Sequence, residues 1–316
     1  MKIAFVFPGQ GSQSVGMLDA WAGNAAVADV LARAGAALEQ DLGALIAQGP
    51  AEQLNLTTNT QPVMLTAAYA CYAAWTAAGG RKPDVMAGHS LGEYTALTAA
   101  GSLALEDAVR LVRVRADAMQ TAVPVGSGGM AAILGLDDDA VRAVCAQATA
   151  SGQPGEVVEA VNFNAPAQVV IAGSKAAVER ACEAAKAAGA KRALPLPVSA
   201  PFHSSLLKPA ADVLADALGK VQVAAPAIAV INNVDVAQAG DPAGIRDALV
   251  RQAWHPVRWV ETIQAMKAQG VTHVVECGPG KVLAGLTKRI DGDLVGLTIT
   301  DPASLEATLA ALAAPQ

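Results

Sequence analysis

Short uninterrupted apolar runs alternate along the chain with stretches whose apolar positions recur every three to four residues. The first pattern reads as strands buried on both faces, the second as helices laid against them. Lys2 is followed by five apolar residues, Ile3 to Phe7, and Pro8 with the polar turn Gly9-Gln10-Gly11-Ser12-Gln13 ends this strand. Helical spacing follows over 17–31 and again over 62–78, where Pro62 suits a first helical turn. Residues 84–88 form a second short strand that runs into His89-Ser90-Leu91-Gly92 and a helix to about 100. Another helix covers 106–121 and is closed by Pro124 and the glycines at 126–129.

The rhythm then changes. Strand patterns at 129–134, 157–163, 168–172 and 191–197 enclose helical patterns at 137–149 and 174–188. The order β-α-β-β-α-β is that of a ferredoxin-like unit, here within about 70 residues. It sets off 126–198 as a small inserted subdomain, with 1–125 and 199–316 forming a larger one. Past the insert, alternation resumes with helices near 205–218, 242–252 and 258–269 and strands at 228–231 and 272–276. The turn Cys277-Gly278-Pro279-Gly280 then leads to a helix ending at 289. Strands alternating with helices imply a mostly parallel sheet covered on both faces.

Composition removes several classes of function. Of 316 residues 53% are apolar but only 3% aromatic, and 72 are alanine, so small side chains carry the hydrophobicity. The charge-free stretch 53–80 is long enough for a bilayer, yet its start is polar and its remainder mostly alanine, which favours a core helix. Five apolar residues after Lys2 are too few for a signal peptide, and the expected location is the cytoplasm. The net charge of −6, without basic runs among aromatics, lacks the footprint of a nucleic-acid binder. Cys71, Cys145, Cys182 and Cys277 are scattered without a CxxC pair, which speaks against a zinc site or disulfide framework and for buried thiols.

Gly88-His89-Ser90-Leu91-Gly92 fits G-x-S-x-G at a strand-to-helix turn, where a serine hydroxyl is held out on a tight bend. The following helix start offers N–H groups to a developing oxyanion. A helix-capping serine is the plainer alternative. A nucleophile needs a base, and His89, His203, His255 and His273 are the candidates. His89 adjoins Ser90, but neighbouring side chains on a turn point apart. His273 lies in an apolar strand, and His255 in a Trp254–Trp259 segment that reads as packing. His203, in the loop Ser199-Ala200-Pro201-Phe202-His203-Ser204-Ser205, is the best choice. Two phosphate-loop patterns fail. Position 14 is serine where G-x-G-x-x-G needs glycine. Around Gly280-Lys281, Val275 and Val282 stand where a Walker loop needs glycine and Ser or Thr.

These residues together resemble the malonyl-CoA:acyl-carrier-protein transacylases. The segments that carry the resemblance are Phe5 to Gln13, Thr60-Gln61-Pro62, Gly88 to Tyr94, Pro201 to Ser204, Asn232 to Asp235, Gln252 and Glu276 to Lys281. It implies an α/β fold with a mostly parallel, α/β-hydrolase-like sheet and the inserted ferredoxin-like subdomain. It also implies that Ser90 is acylated and His203 is its base, oriented by the backbone carbonyl of Gln252 in place of an aspartate. By the same resemblance, the N–H groups of Gln10 and Leu91 would form the oxyanion hole, and Arg115 matches the family arginine that pairs with the malonyl carboxylate. Gln61, His89 and Asn233 are the further residues expected from it to line the site. Arg113, the rival cation, lies about 200° round the helix from Arg115.

The activity so implied is ping-pong transfer of malonyl from malonyl-CoA to the phosphopantetheine thiol of acyl carrier protein in fatty-acid synthesis. No metal or other cofactor is implied, and neither nucleic acid nor membrane is a partner. An acidic carrier protein would need a basic patch, for which Lys281, Lys288 and Arg289 are candidates. A stand-alone malonyl acyltransferase of a polyketide synthase would share these residues, and Phe202 before His203 resembles malonyl-selecting members. A serine esterase or phospholipase-like hydrolase is compatible with the serine motif alone, but Arg115 and the insert argue against it. A catalytically idle carrier-binding module is disfavoured by the presence of both Ser90 and His203.

Overall fold

In the computed structural model, which describes residues 1–198 and 200–313, two sheets organise the chain. Ser199, where the His203 loop and the second part of the large subdomain were expected to start, lies outside the described residues, as do 314–316. The strands are β1 Lys2–Phe7, β2 Val85–Gly88, β3 Gly128–Leu134, β4 Val158–Ala165, β5 Gln168–Ser174, β6 Arg192–Pro195, β7 Ala229–Ile231, β8 Val271–Cys277 and β9 Val295–Ile299. The larger sheet has the order β7-β2-β1-β8-β9 with every pairing parallel. The smaller has the order β4-β5-β3-β6 with every pairing antiparallel, and its two crossover helices make it ferredoxin-like.

Both faces of β1 are buried because both are covered by helices. Ile3, Phe5 and Phe7 join the core formed with helix Thr57–Ala77, where the Phe5 and Trp75 rings lie 5.4 Å apart. Ala4 and Val6 point the other way, toward Trp259, Ile263, Leu283 and Leu286 of helices Trp259–Ala268 and Val282–Ile290. The period of two along a strand sends alternate side chains to opposite layers. In the small sheet Ala131 and Ile133 face helices Asp138–Ala150 and Lys175–Ala187. Met130 faces the opposite side, with Leu196, Val198 and Phe202 packed near it.

Several expected boundaries are corrected. The 17–31 pattern is split into a single turn, Asp19–Trp21, and a helix, Ala25–Leu38. Gly23 adopts a left-handed φ of 81°, and Asn24 caps the new helix by accepting from the N–H groups of Ala26 and Val27. Pro62 does not open its helix: the helix starts at Thr57, and Pro62 forgoes one internal hydrogen bond with no N–H to offer the Thr58 carbonyl. That helix is the charge-free stretch, and it is mostly buried. No helix among the described residues is long and apolar enough to cross a membrane. Helix Leu42–Gln48, strand β9 and helix Pro302–Ala313 had no counterpart in the sequence reading. All four cysteines are free and buried, and burial pushes the Cys71 and Cys145 thiols up to about 12.

Candidate active site

Parallel pairing brings the site's first two loops together. The register sets Phe7 beside Gly88, so β1 and β2 end side by side, and the His89 N–H donates to the Phe7 carbonyl (3.0 Å). Pro8-Gly9-Gln10 and His89-Ser90-Leu91 therefore emerge at one carboxyl edge, the usual ligand edge of such sheets. Between β2 and helix Gly92–Ala99 the chain turns so sharply that Ser90 sits at φ 52°. A Cβ on Gly88 would lie 1.8 Å from the Gly92 carbonyl carbon, and one on Gly92 would lie 2.1 Å from the Phe7 oxygen. Only glycine fits at either place. The left-handed strain at Ser90 is maintained by bonds on both sides of its peptide: its N–H donates to Asn233 Oδ1 (2.8 Å), and its carbonyl accepts from Gln252 Nε2 (2.8 Å).

His203 lies between β6 and helix Lys208–Gly219, at φ 66° and 2% exposed. Its Nε2 is 2.6 Å from Ser90 Oγ, and its Nδ1 is 2.8 Å from the backbone oxygen of Gln252. A carbonyl can only accept, so Nδ1 carries the proton and Nε2 is left to accept from the serine hydroxyl. Burial pushes the imidazole down to about 3, with the Arg115 charge adding to the effect, so the ring is neutral at ordinary pH.

Arg115, on helix Leu105–Thr121, is buried against the same serine. Its Nη2 donates to Ser90 Oγ (3.2 Å) and Gln252 Oε1 (3.0 Å), and its Nη1 to Gln61 Oε1 (2.7 Å). The Tyr94 ring lies 5.4 Å beneath it. All these partners are neutral, leaving a desolvated cation with no carboxylate in direct contact among the described residues. Arg113 is turned away and donates to Gln40 Oε1 (2.5 Å).

A cavity of about 450 Å³ opens over Ser90, lined on one side by Gln10, Gln61, His89, Leu91, Arg115 and His203. Met130 and Asn162 of the small sheet, with Leu196 and Val198 of the segment that leaves β6, supply the opposite, mainly apolar wall. Backbone N–H groups of Gln10 and Leu91 donate to no protein acceptor among the described residues. The Gln10 side chain accepts from Thr57 Oγ1 (2.8 Å). The Gln61 Nε2 also donates to Met119 Sδ (3.7 Å). Asn233 is fully buried, and its Nδ2 donates to the Gly88 carbonyl (2.7 Å). The His89 ring points to the small sheet, with Nε2 2.7 Å from Asn164 Oδ1.

The other two histidines are engaged elsewhere. His255 Nδ1 donates to the Arg251 carbonyl (2.7 Å) while its ring packs on Trp254, and His273 Nδ1 meets Thr272 Oγ1 (2.8 Å). Lys281, Lys288 and Arg289 are exposed, but Arg289 is bonded to Gln168 Oε1 and the Pro166 carbonyl beside the β4–β5 turn.

Glu93 is the site residue that sequence reasoning left without a role. Its Oε2 accepts from Gln252 Nε2 (3.1 Å) and the Asn233 N–H (2.9 Å). Burial raises its carboxyl to about 7, against the pull of those two donors and Arg115. The available signal was a lone charged residue in the helix segment Gly-Glu-Tyr-Thr-Ala-Leu-Thr-Ala.

The chain matches the acyl transferase domain family over residues 4–291. Malonyl CoA-acyl carrier protein transacylase of Salmonella typhimurium is 56% identical over 309 residues, 98% of this chain and 99% of that one. Its counterpart in Bacillus subtilis is 44% identical over 312 residues, 98% of this chain and 97% of that one. The crystal structure of an acyl-carrier-protein S-malonyltransferase from Burkholderia pseudomallei matches with a TM-score of 0.96 at 71% identity, covering 98% of this chain and 100% of that one. A malonyl-transacylase solved in complex with its type II PKS acyl-carrier protein gives a TM-score of 0.96 at 49% identity, covering 98% of this chain and 100% of that one.

Proposed function

The chain belongs to the acyl transferase family, and on that premise we propose the following reaction for it. It transfers malonyl from malonyl-CoA to acyl carrier protein through an ester on Ser90. One observation carries the assignment of roles: a single hydroxyl oxygen touches both a neutral imidazole at 2.6 Å and a buried guanidinium at 3.2 Å. The first arrangement makes a nucleophile, and the second selects an acyl group that bears its own negative charge.

His203 Nε2 takes the Ser90 proton as Oγ attacks the malonyl thioester carbonyl. The oxyanion of the tetrahedral intermediate is received by the Gln10 and Leu91 N–H groups, a reading supported by their place in the cavity lining and their lack of a protein acceptor among the described residues. Collapse breaks the C–S bond, and CoA leaves as a thiol with the proton from His203. The pantetheine thiol of the carrier protein then gives its proton to Nε2 and attacks the ester. Ser90 Oγ departs with that proton, restoring the free enzyme. The Gln252 carbonyl stabilises imidazolium in both halves without itself titrating. Two parallel N–H groups of Arg115 suit a carboxylate fork, which a lysine could not match.

In this reading Ser90 carries the acyl group and His203 the proton, so the enzyme calls for no cofactor of its own. We place it in the cytoplasm and in fatty-acid synthesis. Service to a polyketide synthase is the second reading, favoured by the relative solved with a type II PKS carrier. The test is intact-mass analysis after separate incubation with malonyl-CoA and acetyl-CoA, followed by addition of each class of carrier protein. A single malonyl adduct on Ser90, absent in Ser90→Ala and discharged faster to the fatty-acid carrier, is expected. Rapid hydrolysis without transfer would indicate a hydrolase instead.

A further inference from the structure

Glu93 takes no part in the reaction just described, yet it is 1% exposed and one hydrogen bond from both residues that hold the Ser90 peptide. Asn233 secures that peptide at its N–H, and Gln252 at its carbonyl. The Gln252 amide has two unlike ends, and each meets a different partner. Its Nε2 faces Glu93 Oε2 and the Ser90 carbonyl, and its Oε1 faces Arg115 Nη2. A flipped amide would set an NH2 against the guanidinium, donor against donor. Glu93 Oε2 already accepts the Asn233 N–H, so it meets Gln252 as an acceptor whatever the state of the other carboxyl oxygen.

We infer that Glu93 is a positioning residue for acyl selection: by fixing which end of the Gln252 amide faces Arg115, it aims the guanidinium at the acyl group on Ser90. The inference rests on the malonyl-transfer reading above. It makes the acceptor atom, not the charge, the property that matters. The route is Glu93 Oε2 to Gln252 Nε2, across that amide to Oε1, and on to Arg115 Nη2. No bond in it involves the small sheet, so selectivity for the acyl head is separable from the apolar wall of the cavity.

The test compares Glu93→Met, which removes the acceptor at similar volume, with Glu93→Gln, which keeps an acceptor without the charge. The readout is the ratio of kcat/KM for malonyl-CoA to that for acetyl-CoA, each normalised to the fraction of Ser90 that can be acylated. Glu93→Met should lower the ratio about tenfold, the weight of one hydrogen bond. Glu93→Gln should hold it within about twofold. In an Arg115→Ala background neither substitution should change the ratio further. A ratio that survives Glu93→Met while both rates fall together means a scaffold role only, and equal loss in Glu93→Gln means a counter-charge; either overturns the inference. If Glu93→Met does not fold, Gln252→Met cuts the same link while sparing the Gln252 backbone carbonyl, and an unchanged ratio there overturns it as well. Failure of the parent reading looks different: the native protein would form no malonyl adduct on Ser90 or show no preference for malonyl.

Discussion

Replacing Arg115 with alanine should, on the proposed mechanism, separate selection of the acyl group from the chemistry of its transfer. The side chain is 2% exposed, and its three oxygen partners, Gln61 Oε1, Gln252 Oε1 and Ser90 Oγ, are all uncharged. A malonyl group on Oγ carries its free carboxylate one methylene beyond the ester, within reach of a guanidinium whose Nη2 is 3.2 Å from that oxygen. Without Arg115 this carboxylate is buried with no counter-charge. Removing one partner of a buried charged pair costs about 3–5 kcal/mol. At about 1.4 kcal/mol per factor of ten, kcat/KM for malonyl-CoA should fall by roughly two to three and a half orders of magnitude. Acetyl-CoA has no carboxylate to lose, and its rate should stay within about threefold, because Ser90, His203 and the Gln252 carbonyl are untouched. Arg115→Lys keeps the charge but not the planar fork and should fall between the two. Single-turnover acylation followed by mass spectrometry measures both substrates directly. A parallel fall in the two rates, or malonyl selectivity that persists in Arg115→Ala, would refute the pairing.

The low imidazole pKa of His203, about 3, predicts acylation with no inflection near pH 6.5; the group is lowered, so protonation stops the base only as pH falls toward 3. The Arg115 charge contributes to that depression, so Arg115→Ala should move the acid limb upward, and a native inflection at 6.5 would contradict the assigned environment. Gly88→Ala would place a Cβ 1.8 Å from the Gly92 carbonyl carbon. It should cost roughly 2–4 kcal/mol by denaturant titration. Gly219→Ala, with nothing within 4 Å of the new carbon, should change stability by less than about 1 kcal/mol.

The sequence by itself determined the strand-turn-helix around Ser90, the buried run of β1, the β-α-β-β-α-β order of the insert and the choice of His203 by the character of its loop. These are local statements: periodicity, turn residues and the glycines at 88 and 92 act over a few neighbouring positions. Local signals erred where tertiary packing outweighed them. Pro62 reads as a helix start, yet the helix begins five residues earlier, at Thr57, because the surrounding core makes up for one missing hydrogen bond. Strand β9 shows no clean alternation, since it is a half-exposed edge containing Gly296, and only its pairing with β8 defines it.

The contacts of the proposed catalytic pair belong wholly to the tertiary level. Ser90 and His203 are 113 residues apart in sequence and 2.6 Å apart in space. The partner that orients the histidine is a backbone carbonyl, which every residue possesses, so that only the family resemblance, and not the chemistry of the side chains, pointed to Gln252. Glu93 shows the same limit from the other side. Its identity was plain in the motif, but its use depends on an amide 159 positions away, turned one way round by the atoms it meets. Spacing along a chain encodes helices, strands and turns because those are made by near neighbours. It cannot encode which end of a distant amide faces a carboxylate, because that is decided only when the layers pack.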